Sequence, residues 1–250
     1  MKEINNSVLI TGGCRGVGRA ILEELIKDGY EIGVFEKDEK SCSKLRIEHG
    51  KNVKVWQCDV SSYIMVNETI NRMWNSGFQP STLINNAGII HSEPLVNFRK
   101  TNERIHSVEN WEKVLRNDLS SVFYMTGELI NKLIEIRRKG VVVSISSIAA
   151  YGNSGQTAYS AAKAGVNALT KTWAKELGPM GFRFVGIAPG YLETNSTIES
   201  TENNLLERLK NEIPLRKLGD PSSIAQMIKA VITNEYINGA IIDINGGLTL

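Results

Sequence analysis

Only three cysteines, Cys14, Cys42 and Cys58, occur in 250 residues. The number is odd and the spacing is not that of a metal site. A disulfide framework is therefore excluded, and free thiols in a reducing cytoplasm are expected. A dominant charge is lacking too, with 29 Lys and Arg against 27 Asp and Glu. That gives no case for nucleic acid or an anionic membrane surface as partner. No apolar run approaches the ~20 residues of a membrane span. Residues 1–6 (MKEINN) are polar and lead directly into an apolar run, so no signal peptide is expected. Repeats, low-complexity tracts and linkers are absent, and no ligand cluster suggests a metal. A chain of this length can bury a full core as one α/β domain over residues 1–250.

What the sequence does contain is organised around Gly140 to Leu177. Val141 to Ile145 are β-branched apart from Ser144, as in a strand buried on both faces of a parallel sheet. Ser146 and Ser147 end it, and a loop rich in Gly, Asn and Ser comes next. From about Ala158 the composition turns to Ala, Lys, Leu and Glu at helical spacing. Tyr159 and Lys163 stand four apart at the start of that helix and share a face. A free tyrosine has a pKa of ~10, too high for efficient proton exchange at neutral pH. A nearby ammonium favours the phenolate and lowers that value. A serine hydroxyl from the strand end could hold a carbonyl oxygen while the tyrosine gives or takes the proton. On its own, such a pair can equally be a packed ring and a solvated amine.

Near the N-terminus, Ser7 to Ile10 is an apolar run, Thr11 to Gly18 reads TGGCRGVG, and Ala20 to Ile26 has helical spacing. Strand, glycine turn and helix form the context of a dinucleotide site. The missing side chains let the backbone approach a pyrophosphate, and the helix start offers unpaired N–H groups. Glu31 to Phe35 is the second expected strand, ending at Glu36-Lys37-Asp38. An acidic group there accepts hydrogen bonds from ribose hydroxyls and repels a 2′-phosphate. Glu36 thus favours NAD, whereas Arg15 and Lys37 would suit the phosphate of NADP. Val53 to Trp56 and Thr82 to Ile84 are further strands. A helix from about Ser61 has Ser61 or Ser62 as its cap. Asn85-Asn86-Ala87-Gly88 would line a cleft or form a hydrogen-bonded turn.

Thr11 to Gly18, Asp59-Val60, Asn85 to Gly88, the serine pair, Tyr159 to Lys163, Pro189 to Thr194 and Asp243 to Gly247 occur in an informative order. In order and spacing the chain resembles the short-chain dehydrogenase/reductase family over essentially its whole length. Within it the sequence looks most like the 3-oxoacyl-carrier-protein reductase branch, which sugar and alcohol dehydrogenases also resemble. The resemblance implies a single Rossmann-type, doubly wound α/β domain with a parallel sheet of about seven strands, and NAD(P) across the strand C-termini. By position Gly12, Gly16 and Gly18 would cradle the pyrophosphate, and Thr11, Arg15 and Val17 of the same turn would also belong to the cofactor site. Asp59 and Val60 would lie by the adenine and Asn86 near the adenosine ribose, with Ala87 and Gly88 also in the cofactor site. Lys163 would also hold the nicotinamide ribose, and Pro189, Gly190 and Thr194 would frame the nicotinamide. A small carbonyl or alcohol substrate is implied, with a mobile lid over residues 191–214. A homotetramer, or a dimer, is implied through the helices at 111–136 and 158–177.

The chain departs from the family pattern at three places. Counting back from Tyr159 puts the catalytic serine at Ser146, whereas counting forward from Gly140 puts it at Ser147. A loop absorbs a deletion easily, while a slip within a buried strand turns every side chain to the other face. Ser147 is therefore expected, with Ser146 the alternative. Second, the family's fourth catalytic position, usually an asparagine in the helix after the fourth strand, falls on Asp118, with Asn117 one residue early, which makes Asp118 the candidate for the relay to Lys163. Third, residues 89–110 form a stretch longer than is usual in that branch. It carries His91, Arg99, Lys100, Arg104 and His106. It reads either as a polar, partly basic substrate flap or as a surface excursion or subunit contact. A protein that binds the dinucleotide without turnover is the reading from another class.

Overall fold

The apolar runs fold as seven parallel strands. They are β1 (Ser7–Thr11), β2 (Glu31–Glu36), β3 (Val53–Gln57), β4 (Thr82–Asn85), β5 (Gly140–Ile145), β6 (Phe182–Pro189) and β7 (Ile241–Ile244). In this computed structural model, which describes residues 3–194 and 203–249, they form one sheet in the order β3-β2-β1-β4-β5-β6-β7. Every pairing is parallel. The expected doubly wound Rossmann-type sheet is thus present. Strand succession reverses between β1 and β4, and a crevice opens at such a switch point at the strand C-termini. Thr11 closes β1 on one side of it and Asn85 closes β4 on the other.

Eight α-helices accompany the strands among the described residues: α1 (Gly16–Lys27), α2 (Glu39–His49), α3 (Tyr63–Asn75), α4 (Val108–Leu115), α5 (Ser121–Glu135), α6 (Thr157–Leu177), α7 (Asn203–Glu212) and α8 (Pro221–Thr233). Strand alternation sorts the core into two layers. Val8 and Ile10 face Ile21, Leu25 and Ile228, on the side of α1 and α8. Leu9 faces Ile70, Met125 and Leu129, on the side of α3 and α5. Val141 and Val143 lie in the first layer and Val142 in the second, so a slip of one residue in β5 would exchange the layers. Ser62 rather than Ser61 caps α3, accepting from Met65 N, and Asp220 caps α8, accepting from Ser222 N at 2.7 Å.

One expected helix is not continuous. The amphipathic stretch from Trp111 to Ile136 begins earlier, at Val108, and is interrupted by a π-helical turn, Arg116–Ser120, between α4 and α5. A wider turn inserts a residue and rotates the facing of the next helical segment, a device common at functional sites. Here it carries Asp118 into the interior with no exposure. Leu129, Ile130 and Leu133 hold the buried stripe of α5, and Ile134 is exposed. No helix among the described residues is long and apolar enough to cross a membrane.

Candidate active site

The glycine turn joins β1 to α1. Gly12 (φ +68°) and Gly16 (φ +54°) adopt backbone that side chains disfavour. Gly18 is required for a different reason. A Cβ there would stand 2.1 Å from Gly12 O and 2.5 Å from Asn86 Nδ2. Asn86 Nδ2 donates to Thr11 O (3.0 Å) and Gly12 O (2.9 Å), and the amides of Asn86 and Ala87 donate to Thr11 Oγ1. The side chain expected near the adenosine ribose thus spends its amide hydrogens on bracing the glycine turn. Val17 packs beneath the turn against the core. Arg15 is the N-cap of α1 but provides no side-chain cap, and the first turn of α1 holds no acidic residue. The space in front of Gly16 is open, bounded by Thr194 Cγ2 at 4.0 Å from where a Cβ would stand. An uncapped helix start behind a glycine-rich turn fits a pyrophosphate. Gly18→Ala is expected to abolish dinucleotide binding and to cost about 1–3 kcal/mol from overpacking against backbone. Cofactor titration and denaturant unfolding check it, and unaltered affinity would refute the cradle.

At the end of β2, Glu36 Oε1 accepts from Lys37 N (2.9 Å). The Cys14 thiol in the glycine turn is hydrogen-bonded to the same carboxylate, and burial together with that charge pushes it up to about 12. Cys14, Cys42 and Cys58 are all free thiols. Lys37 Nζ is turned to Asp59 Oδ2 at 2.7 Å, so one of the two cations suited to a 2′-phosphate is already paired. Burial alone would raise the Asp59 carboxyl, but Lys37 and the Ser61 hydroxyl and amide hold it below the usual range. Arg15 is exposed and makes no side-chain hydrogen bond or ion pair among the described residues. Val60, beside Asp59, is buried in the second core layer.

Tyr159, Lys163 and Asp118 meet at the C-terminal ends of β4 and β5. Tyr159 lies near the start of α6, 9% exposed, and packs on Val114, Ala149 and Ala162. Lys163 Nζ is 5.5 Å from the centre of the Tyr159 ring. The same ammonium donates to Ile145 O (3.0 Å) and stands 3.3 Å from Asp118 Oδ2. That carboxylate oxygen has no well-directed hydrogen bond, so the contact is ionic. Asp118 Oδ1 accepts from Ile89 N at 2.8 Å. A Cβ on Gly88 would meet Oδ2 at 2.7 Å, so the glycine lets the carboxylate approach. Burial pushes the Asp118 carboxyl up, with Lys163 and the Ile89 amide opposing it. Burial alone would lower Lys163, but the charges of Asp118 and Tyr159 outweigh it, and the amine is held above its ordinary value.

The two serines are used differently. Ser146 is buried, and its Oγ donates to Asn167 Oδ1 at 2.6 Å. Ser147 is half-buried and caps the short turn Ile148–Tyr151, its Oγ accepting from Ala149 N at 3.1 Å. Its hydroxyl hydrogen is left to donate elsewhere. Across the crevice, Pro189 ends β6, Gly190 N donates to Ile244 O (2.9 Å), and Thr194 N donates to Leu192 O (3.0 Å). Of the lid at 191–214, residues 195–202 lie outside the described residues.

The stretch from 89 to 110 is ordered by pairing that the sequence did not announce. Glu93 accepts from His91 Nε2 (2.9 Å), Asn110 Nδ2 (3.0 Å) and Ser107 N (3.0 Å). These partners pull its carboxyl down to about 2. The sequence shows no ligand cluster, yet the fold gathers His91, Glu93 and His106. A His-x-Glu step on extended chain was the one signal for it.

A family model described as short chain dehydrogenase matches residues 6–205. The chain belongs to the short-chain dehydrogenase family and is an oxidoreductase that uses a nicotinamide cofactor. It is 33% identical to the 3-oxoacyl-acyl-carrier-protein reductase FabG of Thermotoga maritima, covering 97% of each chain. It is 32% identical to the FabG of Buchnera aphidicola, covering 99% of each. It is also 31% identical to sorbitol-6-phosphate 2-dehydrogenase of Klebsiella pneumoniae, over 98% of this chain and 96% of that one.

Proposed function

We propose that the protein reduces a 3-oxoacyl thioester, or in reverse oxidises the corresponding secondary alcohol. The buried Asp118–Lys163 pair beside Tyr159 at the strand ends carries the carbonyl–alcohol chemistry, and the likeness to the FabG reductases supports the thioester. When bound, the nicotinamide supplies or accepts the hydride. Tyr159 gives the carbonyl oxygen its proton in reduction and takes it back in oxidation. Lys163 provides the positive charge next to the ring and a donor for the nicotinamide ribose. Ser147 donates to the substrate oxygen and orients it. Asp118 keeps Lys163 charged and acts as a positioning residue. Gly12, Gly16, Gly18 and the start of α1 hold the pyrophosphate. Pro189, Gly190 and Thr194 frame the nicotinamide.

Exposed apolar side chains on the flap, Ile90, Leu95 and Phe98, suit an acyl chain. The exposed cations Arg99, Lys100 and Arg104 suit a phosphorylated substrate and support a sugar-phosphate dehydrogenase as second reading. Steady-state assays with acetoacetyl thioesters, sugar phosphates and polyols separate them. Tight cofactor binding with no turnover on the whole panel would leave a non-catalytic binder.

Ser147→Ala is expected to lower turnover about 10²–10³-fold, the loss of one oxygen-binding donor. Ser146→Ala should act through stability instead, and the assignment fails if only Ser146→Ala loses activity. Glu36 supports NAD over NADP, helped by the pairing of Lys37 with Asp59. Glu36→Ala should shift the NAD to NADP ratio of kcat/KM toward NADP, and an unmoved ratio would make Glu36 surface charge only.

The apolar groove between α6 and the π turn with the start of α5, lined by Leu119, Phe123, Gly165 and Leu169, supports a homodimer or homotetramer. Three free thiols support a cytoplasmic setting.

A further inference from the structure

The flap carries a cluster that none of this chemistry uses. His91 and Glu93 are two apart on extended chain, so they share a face. A short hairpin then turns back, with Asn97 N donating to Arg104 O (2.7 Å) and His106 N to Leu95 O (2.9 Å). Two imidazoles thereby flank one carboxylate. His91 Nε2 lies 2.9 Å and His106 Nδ1 3.7 Å from Glu93 Oε2. One ligand atom from each of the three residues lies within 4.8 Å of the other two.

We propose that His91, Glu93 and His106 bind a divalent cation of the zinc class, which clasps the flap beside the active site. Tetrahedral zinc, with bonds of about 2.0–2.1 Å, holds its ligand atoms about 3.3 Å apart. His91 Nε2 stands 2.9 Å from Glu93 Oε2, a few tenths of an ångström short of that value. Two imidazoles with one carboxylate suit zinc and its neighbours, whereas calcium and magnesium take oxygen ligands.

The surroundings are built to support such a site. His106 Nδ1 is 2.9 Å from Ser107 O, a carbonyl that only accepts, so Nδ1 carries the proton. Nε2 is then a bare lone pair, buried and without a hydrogen-bond partner. That is a costly state for an imidazole nitrogen, and the ring is fully paired only when a further group binds it. Ligating histidines commonly donate their other nitrogen to a backbone carbonyl in this way. Ser107 N and Asn110 Nδ2 hold the Glu93 carboxylate in place.

Position gives the clasp its consequence. Ile89, two residues before His91, is held by Asp118. Glu93 pairs through its backbone with Gln156, the residue before α6. A cation at this point would brace, from within, a flap already anchored to both walls of the crevice.

The test uses the full chain stripped with chelator and titrated with zinc chloride against a chromophoric competitor. About one equivalent is expected to bind and to raise the thermal midpoint. Zinc should also slow tryptic cutting at Arg99, Lys100 and Arg104. His91→Ala removes a ring whose side chain is 31% exposed, so the variant should fold. It should bind zinc more weakly by over the about 10–100-fold that losing a supporting partner costs. His49→Ala, at the end of α2, should leave the single equivalent intact. Neither readout involves turnover, so failure here is separate from failure of the reductase assignment. Absence of stoichiometric binding, or unchanged affinity in His91→Ala, would reduce the three residues to a hydrogen-bonded hub. Binding without protection of the hairpin would overturn the clasp.

Discussion

Tyr159→Phe is expected to lower turnover by about 10²–10⁴-fold, the usual contribution of one positioned proton donor. Cofactor affinity should hardly move. The substitution removes a hydroxyl and leaves the ring, which packs on Val114, Ala149, Ala158 and Ala162. The fold therefore keeps its contacts while the proton loses its carrier. Steady-state kinetics with a dinucleotide titration separates the two effects. Turnover within tenfold of wild type would remove Tyr159 from the reaction.

Asp118→Ala should be the most destabilising single change at the site. It leaves the Lys163 ammonium buried with Ile145 O as its remaining protein acceptor, and it strips Ile89 N of its acceptor. Breaking a buried pair from one side costs about 3–5 kcal/mol. Asp118→Asn keeps the volume and an acceptor for Ile89 N while removing the charge. It should therefore retain more stability and show what the charge adds to turnover. The linkage has a defined sign. Lys163 is raised from 10.5, so its contribution is whole at neutral pH and fades only as pH climbs past that value. Urea unfolding of both variants at neutral pH checks this. A loss below about 1 kcal/mol for Asp118→Ala would place the pair among the weak surface contacts.

Local chemistry made much of this legible. The β-branched run at Val141–Val143 is a strand because such side chains pack on a pleated, buried surface. The glycine turn announces itself because nothing else fits its backbone and its close contact at Gly18. Tyr159 and Lys163 show their shared face through spacing alone. The serine resisted, since a shortened loop and a shifted strand look the same along a line of residues. The bond from Ser146 to Asn167 supports Ser147, and it joins residues on a strand and a helix. The same limit hid the π turn at Asp118, the Lys37–Asp59 pair and the cluster on the flap.

By itself the amino-acid order determined the strands, the glycine turn and the tyrosine–lysine spacing, because each depends on neighbours within a turn or a strand. Only the tertiary structure decided which charges pair, which serine is spent on packing and where His91, Glu93 and His106 converge. Those outcomes depend on which segments the sheet order and the hairpin bring side by side, and contact between distant segments leaves no periodic trace in the chain.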